Sequence, residues 1–353
     1  MNYRPTFAEI YLGAIRRNTE RIIKKYSGFK HYTAVVKADC YGYRGFSVVK
    51  AMLDGGADML AASLLEEGVS LRREFPFVPV MLFTPVLKEQ LSVCVSNNLI
   101  VTVASLSDAE EAAAVKDLDV IIRINGGSDI LGGPTDKETF NGLFYTVYNG
   151  KCNLKGVYLH AYNAEEEETT LKEYKMYSFL TDGLPVSELE YVSVENSLTL
   201  PRYIKREFSN TCRLGNIIYG IESDDGDLEN TFVLKSKVLT VFTMKKGESL
   251  AYSHAYTCNK EKEYVAAVPI GFGDGFSKTN IGRFVYINDK RYKIVAVTMD
   301  ITHILVDENI KKGDEVVLIR DNRHLDEISE HTGGATEEPV CALNKRVERI
   351  YFE

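Results

Sequence analysis

Eight apolar runs of strand length, spaced from residue 33 to about 215, constrain this chain more than any other feature of its sequence. They are TAVVK (33–37), ADMLAA (57–62), VPVMLF (78–83), LIVTV (99–103), DVIIRI (119–124), GVYLH (156–160), YVSVEN (191–196) and TCRLG (211–215). Between them, segments such as SVVKAMLDGG, LSDAEEAAAVKDL and ETTLKEYKMYSFL place apolar residues three and four apart, as amphipathic helices do. Runs rich in Val, Ile and Leu, each followed by a helix, indicate parallel strands covered on both faces. Eight such units predict a closed (β/α)8 barrel. A doubly wound open sheet is the alternative that the same alternation allows.

The texture changes after IIYGIESDDGDLEN (217–230), where acidic residues and a Gly mark a linker. Beyond it, TFVLKSKVLTVF, YVAAVPIGF, RFVYIND, KRYKIVAVTM and DEVVLIRD alternate or are rich in β-branched residues, and turn signals (KKGE, GFGDG, INDKR) separate them. A short helix near 325–333 and a final strand in NKRVERIYF complete the chain. The expected organisation is a barrel over 1–222 and a mostly β domain over 223–353. Two cores also suit a length of 353 residues.

A formal charge of -8, from 42 Lys and Arg against 50 Asp and Glu, argues against nucleic acid or an anionic membrane as a partner. No run approaches the roughly 20 apolar residues of a membrane span, so a cytoplasmic location is expected. Cys40, Cys94, Cys152, Cys212, Cys258 and Cys341 lie far apart without a metal-ligand spacing, and read as reduced structural thiols. No metal is expected.

In such a barrel, functional groups belong at the carboxyl ends of the strands. Lys37 stands there. A partly desolvated lysine at a barrel mouth can attack an aldehyde and hold it as a Schiff base, although a lysine ending a strand is, taken alone, more often a solvated edge charge. Its context, AVVKADCYGYRG (34–45), closely resembles the cofactor-lysine signature of the alanine racemase family. The resemblance continues in order at AEIYLGAIRRN, RLGNIIYG (213–220), VPIGFGDGF (268–276) and TMD (298–300), and so spans both expected domains.

That resemblance implies a barrel that binds pyridoxal 5'-phosphate (PLP), a following β domain, and a head-to-tail homodimer in which each β domain completes its partner's site. It implies that Lys37 carries the cofactor and acts as one base. Tyr41, Asn196, Ser197 and the backbone of Gly215 and Asn216 would surround the phosphate, and Arg213 would face the pyridine nitrogen. A guanidinium can only donate and cannot support a protonated ring nitrogen, so the ring stays neutral, which weakens the electron sink and suppresses side reactions. Racemisation needs a second acid/base group on the opposite face. Tyr252, in LAYSHAY, matches the family's tyrosine, and His160 would link it to Arg213 in one relay. His254 stands where the family has a small residue, and no role is assigned to it.

The chain departs from the family around the substrate. At the end of the fifth run it reads RINGGSDILG (123–132) instead of a KxDTGMxRxG-like motif. Arg123 replaces a lysine that is often carbamylated, and Ile130 replaces the arginine that grips the substrate carboxylate. Losing the anion and its cation together is coherent, since either alone would leave an uncompensated buried charge. Arg123, helped by the backbone around Met299, becomes the candidate for binding that carboxylate. Phe272 and Glu337 stand where two tyrosines narrow the family's entrance, and Ser193 replaces a histidine. The leading expectation is an amino-acid racemase, with alanine the default substrate and serine or a basic amino acid open. The alternatives are a PLP-dependent lyase or decarboxylase, and a non-catalytic PLP-binding regulatory protein.

Overall fold

The structure is a computed structural model and describes residues 3–127, 131–161, 166–202, 207, 209–221 and 227–353. Ile130 and residue 222, at the expected domain boundary, lie outside the described residues. All eight expected barrel strands form: His31–Val35, Met59–Ala62, Val80–Leu82, Leu99–Val103, Asp119–Ile124, Asn153–Leu159, Tyr191–Ser193 and Thr211–Leu214. The first seven pair in parallel in sequence order, and the eighth returns to pair in parallel with the first, His31 opposite Thr211. Between Tyr191–Ser193 and Thr211–Leu214 no regular ladder forms. That seam is closed by Asn210 N donating to Val192 O (3.0 Å), Val192 N to the Asn210 side chain (2.8 Å) and Val194 N to Ser209 Oγ (2.9 Å).

The strands are buried on both faces, as in MLAA and LIVTV, because helices cover the outside and side chains fill the inside. Local chemistry sets several helix starts. Ser105 and Asp108 form a reciprocal cap on Leu106–Ala113, and the Asp136 carboxylate accepts from Thr139 N (2.8 Å) at the head of Lys137–Tyr148.

The second sheet has nine strands, in the order Thr240–Met244, Glu263–Val268, Thr302–Val306, Lys290–Val297, Phe284–Ile287, Glu315–Ile319, Phe232–Lys237, Phe7–Tyr11 and Glu348–Phe352. Phe7–Tyr11, which falls inside the expected barrel segment, therefore belongs to this sheet, antiparallel to Phe232–Lys237 and parallel to Glu348–Phe352. The expected helix near 325–333 is Asn322–Thr332. A separate two-stranded hairpin, Ser249–Leu250 with Tyr256–Thr257, carries Tyr252 and His254. No helix among the described residues is long and apolar enough to cross a membrane. None of the six cysteines is in a disulfide.

The sheet domain is pinned to the barrel at the turn that follows the first barrel strand. Gly42, at φ +79°, lets the backbone of Val340 and Cys341 come close: a Cβ there would lie 2.4 Å from Val340 O and 2.8 Å from Cys341 Cα. The Arg349 guanidinium, from the last strand, donates to Gly42 O from both Nε (3.1 Å) and Nη2 (2.9 Å). Gly42→Ala combines a disfavoured φ with a clash against rigid backbone. It should lower stability by about 1–3 kcal/mol, read as a fall in Tm, whereas an unchanged Tm would contradict this account of the contact.

Candidate active site

A cavity of about 330 Å³ opens at the carboxyl ends of the barrel strands. Lys37, Tyr41, Arg123, His160, Asn196, Ser197, Arg213, Gly215 and Asn216 all line it, together with Glu337. Nine residues separated by up to 179 positions in sequence thus meet in one place, because each lies at or just beyond a strand end. Tyr252 and Met299 do not line it. Tyr252 is 83% exposed on its hairpin, and Met299 is 55% exposed beside Phe272 on the sheet domain.

Lys37 does not end its strand, as expected from TAVVK, but opens a single turn, Lys37–Tyr41. Ala38, Asp39, Cys40 and Tyr41 all have φ between 51° and 56°, so this turn is left-handed. Such backbone is disfavoured for L-residues by about 1–2 kcal/mol each, and it persists only where the surroundings dictate it. The i, i+4 spacing brings Lys37 and Tyr41 to the same side, and the Lys37 Nζ lies 5.9 Å from the Tyr41 ring centre. The Tyr41 ring packs on Tyr219 (4.8 Å between centres), which packs on Tyr43 (4.9 Å). The expected desolvation of Lys37 is not found in the single protomer, where the residue is exposed to the open cavity.

Beside the lysine turn lies a cradle. Gly215 N donates to Ser197 Oγ (2.7 Å), and a Cβ built on Gly215 would sit 3.0 Å from Tyr41 Oη and 3.5 Å from Ser197 Oγ. Only glycine leaves that space, and two hydroxyls and a backbone turn surround it. This donor set fits a phosphate monoester. Asn196 acts structurally. Its side chain donates to Ala161 O (3.0 Å) and accepts from Leu198 N and Thr199 N, which fixes the turn that aims Ser197.

The far wall follows from strand register. Arg123, Tyr158 and Ser193 stand side by side on three adjacent strands. Period-two alternation turns Tyr158 and His160 to the same side. Arg213, only 3% exposed, then completes the row. Its Nε donates to Ser193 Oγ (2.9 Å), its Nη2 to Leu159 O (2.5 Å) and Val194 O (3.3 Å), and its Nη1 to His160 Nδ1 (3.2 Å). Burial lowers its pKa to about 10, which leaves it cationic at neutral pH. Ser193, noted in the sequence only as a departure, is thus a direct partner of Arg213.

Arg123, 5% exposed, donates to Tyr158 Oη (3.4 Å), and both guanidiniums lie over the Tyr158 ring, at 5.7 Å and 5.3 Å. Sequence reasoning missed Tyr158; its position two residues before His160 was the available signal. Because an arginine can only donate, His160 Nδ1 accepts and the ring proton belongs on Nε2. The imidazole stands exposed to the open cavity, with Arg213 at its Nδ1. Loss of bulk water to the surrounding protein first, then the charges of Arg213, Arg123 and Lys37, push its pKa down to about 3.

Glu337 accepts from Asn216 Nδ2 (3.3 Å). His254 is exposed on the hairpin, at φ 52°. The Phe272 loop is held by a fully buried carboxylate, Asp274, which binds Arg4 (2.6 Å) and Arg346 (3.2 Å) and accepts from Gly271 N (2.9 Å). Among the described residues no group of three or more His, Cys, Asp or Glu is placed to hold a metal.

Comparison with known proteins agrees with this geometry over the whole chain. The family model "Alanine racemase, N-terminal domain" matches residues 10–223, and "Alanine racemase, C-terminal domain" matches 231–351. Alanine racemase 1 of Bacillus subtilis is 30% identical over 368 residues, covering 99% of this chain and 94% of the relative. Alanine racemase of Streptococcus uberis is 29% identical over 367 residues, covering 99% and 98%. The crystal structure of alanine racemase from Bacillus anthracis, solved with bound L-Ala-P, superposes with a TM-score of 0.90 at 27% identity, covering 100% of this chain and 96% of that one. A histidine racemase from Leuconostoc mesenteroides shares the fold, with a TM-score of 0.85 at 21% identity and coverage of 100% and 99%. On its two domains, its full-length relatives and its lysine turn, the chain belongs to the alanine racemase family.

Proposed function

We propose that this chain interconverts the enantiomers of an amino acid, with PLP carried on Lys37 and with Tyr252 of the partner subunit as the second base. The observation that carries the reading is the meeting, in one cavity, of Lys37, the Gly215 cradle and the buried Arg213. When bound, PLP withdraws electrons from the substrate's α-carbon and makes its proton labile. Tyr41 Oη, Ser197 Oγ and the backbone at Gly215 and Asn216 would hold its phosphate. Arg213, a permanent cation that can only donate, would leave the ring nitrogen unprotonated, which would keep electron withdrawal modest and favour proton return over bond cleavage elsewhere.

Arg123 supplies the charge that binds the substrate carboxylate. Lys37 removes or returns the α-proton on one face. A single base tends to return the proton to the face it left, so inversion requires Tyr252 on the other. An 83% exposed tyrosine on a projecting hairpin, outside its own protomer's cavity, suits a group that works in a second copy, which supports the head-to-tail dimer. His160, neutral with its proton on Nε2, joins the fixed cation of Arg213 to the space where that phenol would act. Alanine is the default substrate by family. The direct test is incubation of the holoenzyme with single L-amino acids in heavy water. Solvent deuterium at the α-carbon together with the D-enantiomer supports racemisation, whereas a keto acid or carbon dioxide as product contradicts it.

Two outcomes separate the roles. Lys37→Ala should abolish turnover, and Tyr252→Phe should lower L-to-D conversion about 10²- to 10⁴-fold. If the site is shared between subunits, mixing and re-equilibrating these two variants should restore about a quarter of wild-type activity, since half the dimers are mixed and each has one intact site. No recovery in a mixture verified to exchange subunits would contradict the shared site.

His160 gives the pH test. Its pKa lies below the ordinary value of about 6.5, so the folded protein favours the neutral ring. The stability this adds is complete above about pH 6.5 and is lost as pH falls toward about 3. In NMR spectra the His160 ring should stay unprotonated from about pH 8 to pH 5, whereas a midpoint near 6.5 would contradict the assigned environment.

A further inference from the structure

The cavity is a basin of positive charge with one exception. Lys37, Arg123 and Arg213 line it, His160 is neutral, and among the described lining residues Glu337 is the single carboxylate. It is not on a free loop. Glu337 precedes the helical turn Glu338–Ala342, which packs on Gly42 through Val340 and Cys341, one residue beyond the turn that carries Lys37 and Tyr41. Leu343, just after that turn, accepts from Arg44 (3.1 Å) and Arg349 (2.9 Å). Backbone contact therefore sets the position of the carboxylate relative to Lys37.

Its Oε2 takes one bond from Asn216, and a carboxylate has about four acceptor positions, so capacity remains. The location along the site follows from cofactor chemistry. The aldehyde carbon and the phosphate arm of PLP sit on adjacent ring carbons, and the ring nitrogen is opposite the aldehyde. A group beside Asn216 and the lysine turn would therefore stand near the aldehyde carbon and the phosphate arm, where the substrate joins the cofactor, while Arg213 would stand at the nitrogen end. A carboxylate near a bound phosphate is repelled unless a cation stands between them. Among the described residues that line the cavity beside Glu337, the nearest cationic side chain by sequence and fold is Lys37, which must be a neutral amine whenever it acts as the base on the substrate's α-carbon.

We propose that Glu337 selects a substrate with a positively charged side chain, so that the chain's preferred substrate is a basic amino acid. This rests on the racemase reading above and narrows it. The substrate ammonium or guanidinium donates to Glu337, is desolvated with it, and offsets the repulsion between Glu337 and the phosphate. A neutral side chain of the same shape leaves that repulsion in place.

L-Ornithine and L-norleucine make the matched pair, since they differ at the side-chain end by an ammonium in place of a methyl. In PLP-saturated holoenzyme, kcat/KM for racemisation should favour ornithine by at least about tenfold, and Glu337→Gln should bring the ratio close to one. Equal kcat/KM in the wild type, or a ratio that Glu337→Gln leaves intact, would overturn the proposal. Equilibrium dialysis of both amino acids against the same two proteins gives a second readout, with visible absorbance verifying equal cofactor loading. Should no amino acid be racemised, the racemase reading has failed, and dialysis still decides this inference. An ornithine preference lost in Glu337→Gln upholds it, and equal binding of the pair removes it.

Discussion

A guanidinium inside the barrel, Arg213, is the interaction on which the rest of the site depends. Moving a cation out of water is costly, and it is tolerated only where geometry satisfies its donors. Here the donors reach Ser193 Oγ, Leu159 O, Val194 O and His160 Nδ1, which belong to the sixth and seventh barrel strands and their ends, while Arg213 itself is on the eighth. That is also the seam where no regular ladder forms. One side chain thus helps to close the barrel, fixes the His160 tautomer and places a permanent positive charge at the cavity wall. With Arg123 and Tyr158 it makes a polar layer where a barrel interior would otherwise be filled by branched apolar residues.

The opposite wall is set by coupling between domains. Both chain ends contribute strands to the second sheet, Phe7–Tyr11 lying against Glu348–Phe352, and Arg349 from that last strand binds the carbonyl of Gly42. The left-handed turn carrying Lys37 and Tyr41 is therefore buttressed by the sheet domain of its own protomer. Its disfavoured backbone is retained because the barrel on one side and the Val340–Cys341 backbone on the other leave no alternative. Tyr252, by contrast, stands exposed on its hairpin.

The barrel was legible because parallel strands buried on both faces are written as short, uninterrupted apolar runs, and eight of them recur between residues 33 and 215. The second sheet was less so. Thr302–Val306 hides in ITHILVDE, where a short alternation is flanked by charge, and Ser249–Leu250 with Tyr256–Thr257 is too short to carry a period. Phe7–Tyr11 alternates as a half-buried strand should, but nothing local says that its partners are more than 200 residues away. At the site, the place of Lys37 at the barrel mouth and the Arg213–His160 contact followed from motif resemblance, whereas the left-handed turn did not. Tyr158 and the role of Ser193 did not, because a lateral row across three strands is a property of register, which one strand's sequence does not record.

The central claim is that position 37 is where a cofactor aldehyde is covalently held, beside a phosphate cradle. Its most direct measurement is borohydride reduction of the PLP-loaded protein followed by peptide mass spectrometry. The account predicts a phosphopyridoxyl group on the peptide that contains Lys37 and on no other. Modification at a different lysine, or none in protein shown to have been exposed to PLP, would contradict it.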